Sequence, residues 1–277
     1  MYFRLYGYLT ATTDVKAAGK GVKGLHDVKQ WLLRVLWAFL LTVQNLTRLP
    51  VGNPPFDPSL LGRGTPFFPL VGLFIGVILA SIYYAGSLLW PPAVTAVLMI
   101  VGGLISTGGM HLDGLMDTLD GIGGRDPAHR LDIMRDSRVG AFGVMGAASA
   151  LLFRFVLFLS LAGEAWRVIF LAPVIGRCCL VWVIVLFPYA RTQGQGSLYK
   201  AYTGWREVTA ATVVGLLLAA GIGGGAGIVL LAAFVSISFL LGQFFYRMFG
   251  GLTGDNYGAI NEIVELLVLA GGLVLMR

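Results

Sequence analysis

Charge is what this 277-residue chain lacks most: 12% of its residues are charged against 57% hydrophobic, and the mean hydropathy is +0.80. An ordinary soluble domain carries roughly 25% charged residues, so the composition excludes one and points to an integral membrane protein. Cysteine is nearly absent. The two that occur, Cys178 and Cys179, are neighbours in an apolar run. Adjacent helix positions point in different directions, so neither a mutual disulfide nor a metal site is expected of them, and both read as small buried apolar side chains. Also missing are a dinucleotide fingerprint, a phosphate-binding Walker loop, zinc-ligand spacing and any internal repeat. The first thirty residues have neither an apolar core nor a small-residue cleavage site, which argues against a signal peptide. With Lys16, Lys20, Lys23 and Lys29 set among Gly and Ala, residues 1–30 read as a cytoplasmic extension ahead of a single membrane-embedded domain, 31–277.

What the chain has in place of charge is apolar runs of about twenty residues, the length that crosses a bilayer core as a helix. They are unlike the short alternating segments of an outer-membrane barrel. The pattern predicts an all-α, polytopic membrane helix bundle of about seven spans, over 67–89, 93–108, 141–161, 167–187, 208–222, 227–246 and 259–276. Breakers mark their ends: Pro66 and Pro69, the Trp90-Pro91-Pro92 turn, Pro188, Gly223 to Gly225, and the glycines at 250, 251 and 254. Gly72 and Gly76 make a small-xxx-small spacing suited to close helix packing in lipid. The segment Trp31 to Leu46 holds Arg34 and runs into Arg48, so an interfacial or re-entrant helix is expected there.

Basic residues fall almost wholly on one side of this arrangement. With the N-terminus inside, the inner segments hold Arg48, Arg63, Arg125, Arg130, Arg135, Arg138, Arg191, Lys200, Arg206 and Arg247 besides the N-terminal lysines, whereas the outer ones hold Arg167 and Arg277. By the positive-inside rule the N-terminus is cytoplasmic, in a multi-pass protein of the cell inner membrane. The net charge of +6 then follows mostly from topology, although such loops also suit anionic lipid or a phosphorylated substrate. Nothing in them calls for nucleic acid, and a homo-oligomer is left open.

Against this background, six of the fourteen acidic residues crowd into one cytoplasmic stretch: Asp113, Asp117, Asp120, Asp126, Asp132 and Asp136. Carboxylates so close repel one another unless cations neutralise them. Asp113, Asp117 and Asp120 fall at i, i+4, i+7, on one helix face, and Asp132 and Asp136 repeat the i, i+4 step on the next helix. Gly121, Gly123, Gly124 and Pro127 allow a tight reversal between them. Two carboxylate faces in a hairpin suit Mg²⁺, a hard cation shared between carboxylates and phosphates, and Arg135 and Arg138 lie where guanidinium groups spread charge in phosphoryl transfer. Asp126, beside Pro127, reads as a cap. Surface ion pairing is the bland alternative. A cation-coupled transporter would place its acids nearer mid-membrane, and a CDP-alcohol phosphotransferase would need Asp-Gly-x2-Ala-Arg, where this chain has Asp113-Gly114 followed by Leu115, Met116 and Asp117.

The string Gly108-Gly-Met-His-Leu-Asp-Gly-Leu-Met-Asp-Thr-Leu-Asp-Gly121, with Ile133-Met-Arg-Asp-Ser-Arg-Val-Gly140 after it, closely resembles the signature of the cobalamin synthase family, the adenosylcobinamide-GDP ribazoletransferases. Thr47-Arg-Leu-Pro50, Phe68-Pro-Leu-Val-Gly72, Tyr189-Ala-Arg191 and Gly250-Gly-Leu-Thr-Gly-Asp255 with Gly258, Ala259, Glu262 and Glu265 also look like that family. The resemblance runs from about Trp31 to the C-terminus; the lysine-bearing extension and Met116 depart from it. It implies a Mg²⁺-dependent membrane transferase that joins adenosylcobinamide-GDP to α-ribazole or its 5′-phosphate, making adenosylcobalamin or its 5′-phosphate and releasing GMP.

Under that resemblance, Asp113, Asp117, Asp120, Asp132 and Asp136 are the expected metal ligands. His111, Asp113, Asp117, Arg135 and Arg138 are the expected catalytic groups, His111 being either a general base or a structural hydrogen-bonding residue. A second polar face comes from Asp255, Asn256, Glu262 and Glu265, of which Asp255, Glu262 and Glu265 share one helix stripe. Acids entering lipid are costly, so Glu262 and Glu265 are expected to face the bundle interior, with Arg154 and Arg177 as their partners or as phosphate binders. Arg48 and Arg191 complete the expected substrate-binding set, beside Arg177, Asp255, Asn256, Glu262 and Glu265.

Overall fold

Apolar helices dominate the chain, and short polar or glycine turns decide how they fold back on one another. A computed structural model describes residues 23–276. Most of the expected N-terminal extension lies outside the described residues; its end, from Lys23, belongs to the first helix. In order, the helices are α1 (Lys23–Leu46), α2 (Pro58–Arg63), α3 (Phe68–Leu89), α4 (Pro92–Thr107), α5 (Met110–Ile122), α6 (Pro127–Ile133), α7 (Ala141–Leu159), α8 (Val168–Leu186), α9 (Gln195–Tyr202), α10 (Trp205–Phe249) and α11 (Gly254–Leu275). Short 3₁₀ turns lead into α3 and α8.

The architecture is the expected all-helical membrane bundle. Among the described residues, five helical segments are long and apolar enough to cross a bilayer, and a sixth is added if α4 and α5, bent by 88°, are taken as one broken span. The stretches 208–222 and 227–246, expected as separate spans, are two helical arms of α10, separated by a break at Gly224 (φ +56, ψ −138). That positive φ is one that glycine adopts readily. Past it the chain doubles back, because a Cβ at Gly227 would lie 2.0 Å from the carbonyl oxygen of Ala219. In a straight helix eight residues span about 12 Å.

The central helix is α8, 83% buried over its apolar window. Its neighbours approach through glycine. A Cβ at Gly72 of α3 would lie 2.3 Å from the Pro173 carbonyl oxygen, and one at Gly76 would lie 2.8 Å from Phe170 Cα. The small-xxx-small spacing is therefore the α3–α8 contact. On other sides, Gly215 and Gly242 of α10 meet Cys178 and Phe187, while Gly272 of α11 meets Val168. Both cysteines are buried and free.

Helix α1 is not among the spanning segments. It exposes Val28, Trp31, Leu32, Leu33 and Leu36, while Ala38, Leu41, Val43 and Leu46 further along are buried. The turn that aims the acidic segment is Gly108-Gly109, with φ of +66 and +70. Two successive left-handed residues stop α4 and swing α5 sharply away.

Candidate active site

Helix α5 lies against α11, and glycine sets the distance. A Cβ at Gly114 would lie 2.6 Å from the Asp255 carbonyl oxygen, and one at Gly258 would lie 3.2 Å from His111 Cα. Asp255 is brought there by a backbone link between two loops: Ala190 N donates to Leu252 O at 2.8 Å, and Leu252 N donates to Pro188 O at 2.8 Å. The same link sets Arg191 beside Asp255, with Nη1 3.0 Å from the carboxylate. Thr253 and Asn256 form a capping box at the start of α11, and the Asn256 amide donates to Thr118 Oγ1 on α5 at 3.1 Å. Asp255 therefore sits at a fixed helix start.

These elements enclose a cleft of about 330 Å³, lined by His111, Asp113, Arg191 and Asp255, with Tyr189, Tyr199 and Tyr257 among its walls. Gln195 of α9 donates to Asn45 of α1 at its mouth. Asp117 lies in the combined field of the Asp255, Asp113 and Asp120 carboxylates, opposed by Arg191. Neither Asp113 nor Asp117 has a hydrogen-bond or ion-pair partner among the described residues. Neighbouring carboxylates without a compensating cation are hard-oxygen donors of the kind that Mg²⁺ neutralises.

Asp120, one turn further on, has another occupation. Its two oxygens accept from Gly140 N at 2.8 Å and Gly143 N at 2.7 Å. It therefore supplies the N-terminal cap of α7, whose own Gly140 has no side chain to do so. Contact there is close: a Cβ at either glycine would lie within 2.4 Å of an Asp120 oxygen.

The second acidic helix is shorter than its spacing suggested. Helix α6 ends at Ile133, so Asp132 is helical but Asp136 lies in the following loop. There Asp136 accepts from the Arg138 backbone N at 3.0 Å and pairs with its guanidinium at 2.6 Å, which holds its carboxyl down to about 2. Asp132 pairs with Arg135 at 3.4 Å, both largely exposed. Among the described residues no three histidine, cysteine or acidic side chains come together as a ready metal cluster. Asp126 caps α6, accepting from His129 N at 3.0 Å.

Behind the cleft is a buried ionic network. Arg154 of α7 lies 2.9 Å from Glu262 and 3.2 Å from Glu265, and Arg177 of α8 pairs with Glu265. His111 Nδ1 is 3.3 Å from Arg177 Nη2 and 3.2 Å from Asn261 Nδ2, and the same Asn261 nitrogen donates to Glu265 at 2.8 Å. Both neighbours of Nδ1 are donors, so Nδ1 accepts and the ring proton sits on Nε2. With its lone pair so engaged, His111 acts as a structural tie between α5, α8 and α11. Arg177, 1% exposed, is committed to Glu265 and His111. Asn261 escaped the sequence reading, although it stands one helical turn before Glu265.

Arg48 donates its backbone N to Ser106 O at 2.7 Å and lays its guanidinium against the Gly108 turn, where a Cβ would lie 2.1 Å from Nε. Arg63 is exposed at the end of α2.

Known sequences agree with this distribution of motifs. The family model for cobalamin-5-phosphate synthase matches residues 38–274. This chain belongs to the cobalamin-5-phosphate synthase family. It is a transferase, and its apolar helices make it a membrane-embedded one. An adenosylcobinamide-GDP ribazoletransferase of Roseiflexus sp. is 42% identical over 228 residues, covering 81% of this chain and 85% of the relative. Another, of Desulforamulus reducens, is 39% identical over 236 residues, covering 83% of this chain and 93% of the relative. No solved structure matches the chain. The synthase match takes in both loops of the Pro188–Leu252 link and every acidic residue at the cleft.

Proposed function

We propose that this synthase transfers the adenosylcobinamide phosphate moiety of adenosylcobinamide-GDP to α-ribazole or its 5′-phosphate, in a Mg²⁺-dependent reaction at the cytoplasmic face of the cell inner membrane. The observation that carries the reading is uncompensated Asp113 at a cleft beside Asp255 and Arg191, with uncompensated Asp117 one turn further along α5 in the field of the same charges, in a chain similar to enzymes bearing that name. The 3′-hydroxyl of the ribazole attacks the phosphorus nearer cobinamide, the bond from that phosphorus to the GMP oxygen breaks, and GMP leaves. Adenosylcobalamin or its 5′-phosphate is the product. When bound, Mg²⁺ neutralises pyrophosphate charge and stabilises the leaving GMP.

Asp113 and Asp117 are the residues that would hold the ion, with Asp255 as the adjoining acid. Asp120 fixes the neighbouring wall through α7, since both of its oxygens already accept from backbone amides. Arg191 has its Nη1 on Asp255, while its Nε and Nη2 have no hydrogen-bond partner among the described residues. Those two nitrogens are the donors that meet a phosphate oxygen. His111 holds α5 in register behind the carboxylates, and a cleft carboxylate oxygen not bound to the ion takes the hydroxyl proton. The inside placement rests on the distribution of Lys and Arg along the chain.

Purified full-length chain supplied with Mg²⁺, adenosylcobinamide-GDP and α-ribazole should release GMP in step with the corrinoid product, and chelation of the metal should stop it. Asp117→Asn should lower turnover by roughly a hundred-fold or more, as loss of a charge that supports the transition state does. Intact, well-folded protein that makes no GMP overturns the reading. Normal turnover by the variant removes Asp117 from the ion.

A further inference from the structure

The cleft has an apolar end that phosphate and metal chemistry leave unexplained. Besides Asp113, Asp255, Arg191, His111 and the amides of Asn45 and Gln195, its lining includes Leu46, Phe68, Leu180, Ile184, Tyr199 and Tyr257. Phe68 stands edge-on to Tyr199 with ring centroids 5.5 Å apart, and Tyr189 lies tilted against Tyr257 at 6.2 Å. Such a wall suits a flat aromatic ring, which stacks and makes edge contacts with other rings.

Two of these lining residues carry a buried hydroxyl with no partner among the described residues. Tyr199 is 8% and Tyr257 is 6% exposed, and neither hydroxyl has a hydrogen-bond partner among the described residues. A buried hydroxyl left unpaired is costly, and most buried polar groups find partners. Both residues line the one cleft, where a bound ligand can supply the missing half of each bond.

We propose that the apolar end of this cleft seats the planar base of the nucleoside acceptor, a benzimidazole-type bicycle whose free ring nitrogen accepts a hydrogen bond from these tyrosine hydroxyls. The proposal rests on the ribazole-transfer reading above and deepens it by assigning a place to the second substrate. A benzimidazole presents hydrocarbon and a single acceptor. The volume of about 330 Å³ is at the scale of small-molecule pockets, and Asp113 and Asp255 on the same cleft set the seated nucleoside's ribose next to the carboxylate face.

Full-length enzyme in lipid nanodiscs tests this with two readouts. In equilibrium binding without the corrinoid substrate, α-ribazole should bind wild type. Tyr257→Phe, Tyr199→Phe or both should weaken that binding, and raise KM for α-ribazole, by about five-fold for one lost hydrogen bond, with KM for adenosylcobinamide-GDP unmoved. An indole nucleoside, which has carbon in place of the accepting nitrogen, should bind wild type and the affected variant equally. Unchanged α-ribazole affinity in both single variants and in the double variant overturns the proposal, as does a rise in KM for the corrinoid substrate alone. Wild type that turns over while these signatures are absent sinks the base site only. If wild type neither binds ribazole nor releases GMP, the ribazole-transfer reading fails with it.

Discussion

Arg177→Met is the perturbation whose size the structure fixes best. In the bundle interior two guanidinium groups, Arg154 and Arg177, balance two carboxylates, Glu262 and Glu265. The variant leaves both carboxylates, 5% and 9% exposed, facing one guanidinium, and it strips one of the two donors from His111 Nδ1. Breaking a buried ion pair from one side costs about 3–5 kcal/mol. At roughly 2–4 °C per kcal/mol for a chain of this size, Tm should fall by about 6–20 °C. Tryptophan fluorescence during thermal unfolding in detergent reads the shift. Adding Glu265→Gln to the variant restores charge balance around the Arg154–Glu262 pair and should recover most of the loss, since the neutral amide leaves no uncompensated charge. A drop below about 2 °C for the single variant would show that the network does not hold these helices. Additive losses in the double variant would refute the charge-balance reasoning.

Two other outcomes follow from the geometry. Gly114→Ala puts a methyl group 2.6 Å from the Asp255 carbonyl oxygen, so α5 and α11 must part. Turnover should drop and Tm should fall by an amount in the overpacking range of about 1–3 kcal/mol, measured by GMP release and thermal unfolding; unchanged turnover would mean that the α5–α11 spacing does not set the site. Asp136 is held below its ordinary 3.8, at about 2, by Arg138. Its depressed folded-state value means that any stability it contributes is present above the ordinary value and lost as pH falls through about 2. Carbon-13 titration of the Asp136 carboxyl should therefore show a midpoint near 2 that returns toward 3.8 in Arg138→Ala, and a midpoint already at 3.8 in the unaltered chain would refute the pairing.

Local signals in the sequence proved legible where the chain's own neighbours decide the outcome. Gly72 and Gly76 marked a close helix contact, and Asp126 beside Pro127 marked a cap. Helical spacing put Asp113, Asp117 and Asp120 on one helix, and α5 contains all three. The same spacing argument failed for Asp136, because the i, i+4 step assumes that the helix continues. There the Asp136 carboxylate accepts from the Arg138 amide two residues on, a local side-chain turn that competes with helix. A glycine run between two apolar stretches was legible as a break, and Gly224 is where the chain folds back.

By itself, then, the sequence determined a helical membrane bundle, the places where it turns, and the acidic run that carries the family motif. Backbone preference and hydrophobic length act within a few residues, so they can be read along the chain. Only the tertiary structure decided how the carboxylates divide their work. Asp120 is taken by the amides of Gly140 and Gly143, twenty or more residues on. Asp113 and Asp117 are left free, and Asp255 reaches them through a link between the loops at Pro188 and Leu252. Arg177, expected to meet either the Glu262 and Glu265 carboxylates or a phosphate, is bound to Glu265 and His111. Which carboxylate meets a guanidinium, an amide or open cleft depends on which helices pack and how closely their glycines let the backbones approach, and that is a property of the assembled bundle.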